Sequence, residues 1–193
     1  MDALDAIWAR RSIGRLSEPG PSDEELGLVL AAAAAAPDHG ELRPWRFVVL
    51  EGAAKDRFGQ VLAEALLARA AAAGVEPTEG QLNKERTKLG RAPVVVVVAA
   101  IRRPSDTIPW AEQLAAGAAA AQNALIAATA LGYGSMWRTG EVAYDEHVKT
   151  ALGLAAADAI VGFLYLGNTT PGSAKPPRRP DLSGLVEQWD EPV

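Results

Sequence analysis

"LAAGAAAAQNALIAATALGYGSMWRTG", residues 114–140, is built mainly of alanine up to Leu131 and then turns abruptly to glycine, aromatic and polar residues. Alanine is the best helix former because it loses no side-chain entropy in the helix. The run therefore predicts a long helix over 110–131, closed by Gly132, since glycine takes the left-handed position after a helix without steric cost. Alanine is only weakly lipophilic, and Gln122, Asn123 and Thr129 interrupt the tract, so it reads as a buried helix and not a membrane span. Small side chains let a neighbouring backbone approach closely. That places the helix at the centre of the molecule or at a subunit interface. Residues 133–139, YGSMWRT, follow it as a strand.

Outward from this pair the other elements fall into place. VVVVVAAI at 94–101 is the β-branched run of a strand buried on both faces. RFVVL at 46–50 and AIVGFLYLG at 159–167 complete the strands. The first helix, DALDAIWAR, has Asp2 as its cap and puts Leu4, Ile7 and Trp8 on one face. Ser22-Asp23-Glu24-Glu25 has the capping-box pattern, and the helix it opens turns Leu26, Val29, Leu30 and Ala33 inward before Pro37 stops it. Further helices are expected at 53–73, on the polar surface stretch 76–92, and at 144–152. Helices and strands do not alternate regularly and no GxGxxG follows a strand, which argues against a dinucleotide-binding chain. An α+β sandwich fits, a small sheet with helices on its faces, as one domain over residues 1–193.

Composition narrows the chemistry. The chain has 193 residues, 49% hydrophobic and 22% charged, and a net charge of −5, which is ordinary globular composition. Its pI of about 5.1 argues against nucleic acid or an anionic membrane as partner. With no cysteine, disulfides, thiolate metal sites and cysteine nucleophiles are excluded. MDALDAIWARRS begins acidic, without the basic-then-apolar pattern of a signal peptide, so a cytoplasmic location is expected.

Three short stretches could carry chemistry. Arg10-Arg11-Ser12, with Arg15 behind, can hold a phosphate bidentately, although arginines at a helix C-terminus are favoured by the dipole anyway. Pro37-Asp38-His39 can be a helix stop or a binding-site wall. Trp137-Arg138-Thr139 ends a strand, where sheets present ligand-binding groups, or else Trp137 is core and Arg138 solvated. Arg178 and Arg179 could form a second clamp or a solvated pair. A triad of Ser135, His39 and Asp38 lacks a GxSxG elbow, and His39 and His147 are too few for a histidine-based metal site. No metal is expected.

Taken in order along the chain, RRSIGR, SDEELGLVLAAAAAAPDHGELRPWRFVVLEG, the alanine-rich helix, LGYGSMWRTG and IVGFLYLG resemble the nitroreductase family of flavoproteins. The resemblance is to its short, single-domain branch with PDH at a helix end. It implies an α+β nitroreductase-like sandwich: a small mixed sheet flanked by helices, a long central helix, and an intertwined homodimer with FMN at each end of the interface. It also implies NADH or NADPH as co-substrate and a nitroaromatic, quinone-like or related small-molecule electron acceptor. By position, Arg10, Arg11 and Ser12 would hold the flavin's phosphate and ribityl chain. Ala35, Pro37 and His39 would lie along the cofactor, some from the partner subunit, and Trp137, Arg138 and Thr139 would border the ring. Ala121, Gln122, Asn123, Ala124, Leu125 and Ile126 would lie near the nicotinamide.

The sequence departs from the broader family at Asp38, where many members have serine, at Arg43, where many have glutamine, and in the offset of Arg178 and Arg179. No catalytic side chain is implied, because the flavin carries the redox chemistry. Either Arg11 or Arg138 could stabilise negative charge on the reduced ring. The same scaffold would also suit dehalogenation, ene reduction, oxygen-dependent flavin breakdown or a non-enzymatic FMN carrier.

Overall fold

The computed structural model of the chain describes residues 1–170, 172 and 179–189. Four strands, β1 (Trp45–Glu51), β2 (Val94–Ala100), β3 (Gly134–Arg138) and β4 (Ala159–Gly167), form one sheet in the order β1-β2-β4-β3. Strand β2 is buried along its whole length, as its valine run predicts. Alternate side chains of a strand face opposite sides. Val95, Val97 and Ala99 therefore join Phe58, Leu62, Phe163 and Tyr165 in one core. Val94, Val96, Val98 and Ala100 join Val29, Ala120, Ala124 and Leu164 in the other.

Helices cover both faces. On the first lie α3 (Ala53–Ala72), α4 (Glu79–Thr87) and α6 (Glu146–Ala151); on the second lie α2 (Asp23–Ala34) and α5 (Trp110–Ala130). Helix α5 is the long central helix. At Gly117 an added Cβ would lie 3.1 Å from Val161 Cγ2 and 3.3 Å from Ala100 Cβ, so the small residue lets the helix sit close on the sheet. No helix among the described residues is long and apolar enough to cross a membrane.

Two expectations need correction. Every strand pairing is antiparallel, not mixed. Helices α3 and α4 form an out-and-back pair between β1 and β2 and return the chain to the end of the sheet it left. The parallel contact among the described residues is a single bridge, Ser12 to Ser135. The apolar face of α1 (Ala3–Ala9) also differs: Ala6 is its buried residue, whereas Leu4 and Ile7 are 56% and 45% exposed. A helix of seven residues reaches the core at one point only, and its larger side chains stay uncovered within the single chain.

Candidate active site

The edge of β3 and the chain after α1 build the site together. Asp2 caps α1 by accepting the Asp5 amide at 2.9 Å, and the helix ends at Arg10. The carbonyls of a helix C-terminus lack partners and carry partial negative charge. Arg11 folds back on them: its Nη1 donates to Trp8 O at 2.7 Å and Arg10 O at 2.5 Å. Its Nη2 is buried with no partner. The ordinary helix-end role thus occupies half of this guanidinium and leaves the other half free.

Ser12 then joins β3, with the Ile13 amide donating to Ser135 O at 3.0 Å. The Ser135 hydroxyl beneath is 1% exposed by residue and also lacks a partner. Two residues on, Arg138 Nη2 comes within 3.9 Å of where a Gly14 Cβ would stand. The Arg138 guanidinium lies 5.9 Å from the centre of the Tyr165 ring, and its Nε is buried without a partner. Arg138 and Thr139 line a small cavity of about 60 Å³ with Phe163 and Tyr165. Burial pushes the Tyr165 phenol above its ordinary pKa, with the charges of Arg138 and Arg91 opposing it. Tyr165 therefore stays neutral at physiological pH and does not consume the arginine's charge.

Trp137 faces the other side of β3. Its Nε1 donates to Val161 O at 3.1 Å and its indole lies across Gly162, where a Cβ would overlap it. The glycine inside AIVGFLYLG marks this close approach. Arg179 stacks on the Trp8 ring, 4.1 Å from its centre, beside the end of α1; Arg178 lies outside the described residues. Gly14 and Tyr165 had no role in the sequence reading of the site, and Ser135 entered it only as the serine of a triad. Their contribution comes from the bridge between Ser12 and β3, which joins residues more than a hundred positions apart.

The remaining expected residues lie elsewhere. Ala35 is the C-cap of α2 and is exposed, as are Pro37 and His39. The segment that follows is tightly shaped: Asp38 Oδ2 accepts the Arg43 amide at 2.5 Å, and Gly40, Glu41 and Arg43 have φ of +71°, +52° and +45°. Gly40 also lets Ile108 approach to 2.5 Å of where a Cβ would be. His39 Nδ1 meets Glu112 Oε2, in the first turn of α5, at 2.7 Å. This lip leads into β1, the sheet edge opposite β3. Three inter-strand gaps put the two edges about 14 Å apart. Arg11 shares a cleft of about 260 Å³ with Thr129 and Tyr133 at the far end of α5. Seventeen residues of helix separate Thr129 from Glu112, about 25 Å. One chain sets Arg11 and Ser12 beside β3, places Arg138 and Thr139 in a second cavity at the end of that strand, and leaves Ala35, Pro37 and His39 remote from Arg11.

Of the segment Ala121–Ile126, Ala121, Ala124 and Leu125 are buried in the core beneath α2. Asn123 Nδ2 donates to Ala32 O at 3.2 Å, and Gln122 and Ile126 remain half-exposed on the outer side of α5.

In sequence and fold the chain is similar to known proteins. The sequence profile of the nitroreductase family matches residues 7–168. YdjA of Escherichia coli (strain K12), whose name assigns it to the NAD(P)H nitroreductases, is 39% identical over 168 residues, covering 86% of this chain and 88% of YdjA. The 5,6-dimethylbenzimidazole synthase of Rhodospirillum rubrum is 30% identical over 177 residues, 86% of this chain and 82% of its own. A protein of Desulfovibrio desulfuricans solved in complex with FMN is 27% identical, with a TM-score of 0.72 over 100% of this chain and 98% of its own.

Proposed function

This chain belongs to the nitroreductase family, and we propose that it is a homodimeric FMN-dependent oxidoreductase using NADH or NADPH. Buried polar atoms without partners carry the reading: Arg138 Nε on one face of the edge strand β3, Ser135 Oγ on the other, and Arg11 Nη2 at the end of α1. Leaving a buried donor unpaired costs free energy, so the two guanidiniums call for an acceptor. The acceptor must be anionic, because among the described residues no carboxylate pairs with Arg10, Arg11 or Arg138. A phosphate joined to a polar ring meets both requirements, and these residues fit FMN.

When bound, FMN supplies two-electron transfer from the nicotinamide co-substrate to a nitroaromatic or quinone-like acceptor in a ping-pong sequence. The chain's own residues bind and orient. Arg10, Arg11 and Ser12 hold the phosphate, with Arg11 also cancelling the negative end of α1 that would repel it. Arg138 is a fixed cation in a site of low dielectric, where it favours negative charge on the adjoining ring more than it would in water. Trp137, locked across Gly162, holds the end of β3 in place. Of the segment 121–126, Gln122 and Ile126 are the side chains able to reach a nicotinamide.

Ala35, Pro37 and His39 complete the site from a second copy. The separation of the two residue sets within one chain supports this, as do the uncovered apolar positions Leu4, Ile7 and Leu114, the last 38% exposed.

Titration with FMN followed by anaerobic addition of NADH or NADPH tests the reading. Uptake of one FMN per chain and bleaching of its visible absorption are expected. A protein that refuses FMN refutes it. Oxygen-dependent breakdown of the flavin on the same scaffold is a second reading. In that case aerobic turnover would consume the FMN itself, and nitro or quinone acceptors would leave the rate unchanged.

A further inference from the structure

His39 projects from a lip whose backbone is held by the Asp38 carboxylate and by left-handed residues at Gly40, Glu41 and Arg43. Its Nδ1 lies 2.7 Å from Glu112 Oε2, and Nε2 has no protein partner among the described residues. An ionised carboxylate only accepts hydrogen bonds. Above the range where imidazole is protonated, the single ring proton must therefore sit on Nδ1, leaving the Nε2 lone pair outward.

The pair is half-exposed, 65% for His39 and 50% for Glu112, and such exposed pairs contribute little to stability. A carboxylate in the first turn of α5 is favoured by the helix dipole with or without a histidine. Neither effect accounts for the particular nitrogen engaged. His147 offers the opposite arrangement in the same molecule: its Nε2, not Nδ1, meets Glu64 Oε2 at 3.2 Å. With both glutamates ionised, the two contacts select opposite tautomers for the chain's two histidines.

We propose that Glu112 is a positioning residue: it selects the Nδ1–H tautomer of His39 so that Nε2 serves as an acceptor at the cofactor site of the partner chain. The complementary ligand groups are donors, a ribityl hydroxyl or an imide N–H. This rests on the function proposed above, but its first readout does not need the cofactor.

Long-range ¹H–¹⁵N correlation spectra of the ¹⁵N-histidine-labelled apo protein at pH 8 read each tautomer directly. His39, assigned with a His39→Gln variant, is expected to carry its proton on Nδ1, and His147 on Nε2. In Glu112→Ala, His39 should shift to the Nε2–H form and FMN binding should weaken roughly threefold to tenfold, the value of one hydrogen bond. Glu64→Ala should alter the His147 signals and leave FMN affinity unchanged. Wild-type His39 in the Nε2–H form, or a Glu112→Ala protein with unchanged tautomer or unchanged FMN affinity, overturns the proposal. If the wild type shows both tautomers as expected yet takes up no FMN, the proposed function fails instead.

Discussion

Arg11 shows how one side chain can have a structural and a functional half. Nη1 closes the end of α1 and Nη2 waits in the site without a partner. Charge-assisted hydrogen bonds contribute about 1.5–3 kcal/mol, so Arg11→Ala should weaken FMN binding roughly tenfold to a hundredfold. Riboflavin, which lacks the phosphate, should bind the variant and the wild type alike. Fluorescence titration with both flavins checks this, and an equal loss for riboflavin would place Arg11 elsewhere on the cofactor. At Gly162 the prediction concerns packing. Gly162→Ala forces Trp137 off the strand, at a cost of about 1–3 kcal/mol for an overpacked site. A urea melt would measure it. Arg10, Arg11, Ser12 and Arg138 were legible as ligand candidates only through the family resemblance, because arginines at a helix end are favoured by the dipole anyway. Ser135, Gly14 and Tyr165 were not, since their roles exist only once Ser12 is laid against β3.

At the scale of elements, local signals were the most readable. The capping box at Ser22 is present as predicted, with Glu25 Oε2 accepting the Ser22 amide at 2.8 Å. Ser22→Ala should cost about 1 kcal/mol of stability. Tyr133, just after α5, donates its hydroxyl to the same Glu25 oxygen at 2.7 Å and so ties the two helices of one layer together. The Ser22 amide first, and then the Tyr133 hydroxyl, hold the Glu25 carboxyl below its ordinary range. A depressed carboxylate pKa gives stability that is present above the unfolded value and lost as pH falls through the folded one. Tyr133→Phe should therefore destabilise at pH 7 and lose that effect below the usual glutamate range. Melts of both proteins at pH 7 and pH 3 measure the difference, and an equal penalty at both would contradict it. The antiparallel order of the sheet was not legible. It depends on α3 and α4 returning the chain to its starting edge, and hydrophobic periodicity does not carry that information. The apolar face of α1 was visible as a pattern, but nothing in the pattern says that Leu4 and Ile7 stay exposed within the chain.

At the scale of the whole molecule, the account turns on distance. Arg11, beside Thr129, lies about 25 Å along α5 from the lip that carries His39. A flavin touching both sets must lie between two chains. Ala115 is exposed on the outer side of α5, so Ala115→Asp should fold as a single chain, with dimerisation and FMN uptake failing together. Sedimentation with absorbance detection at the flavin band would follow both. The most direct test uses mixed dimers, assembled by co-expressing an Arg11→Ala chain with a His39→Ala chain under different tags. A site built from both chains is then intact once and doubly altered once in each mixed dimer. Titration should find one FMN site of wild-type affinity per mixed dimer, although neither parent has any. Two sites, each weakened and none of wild-type affinity, would mean that every flavin is held within a single chain, and the account would be wrong.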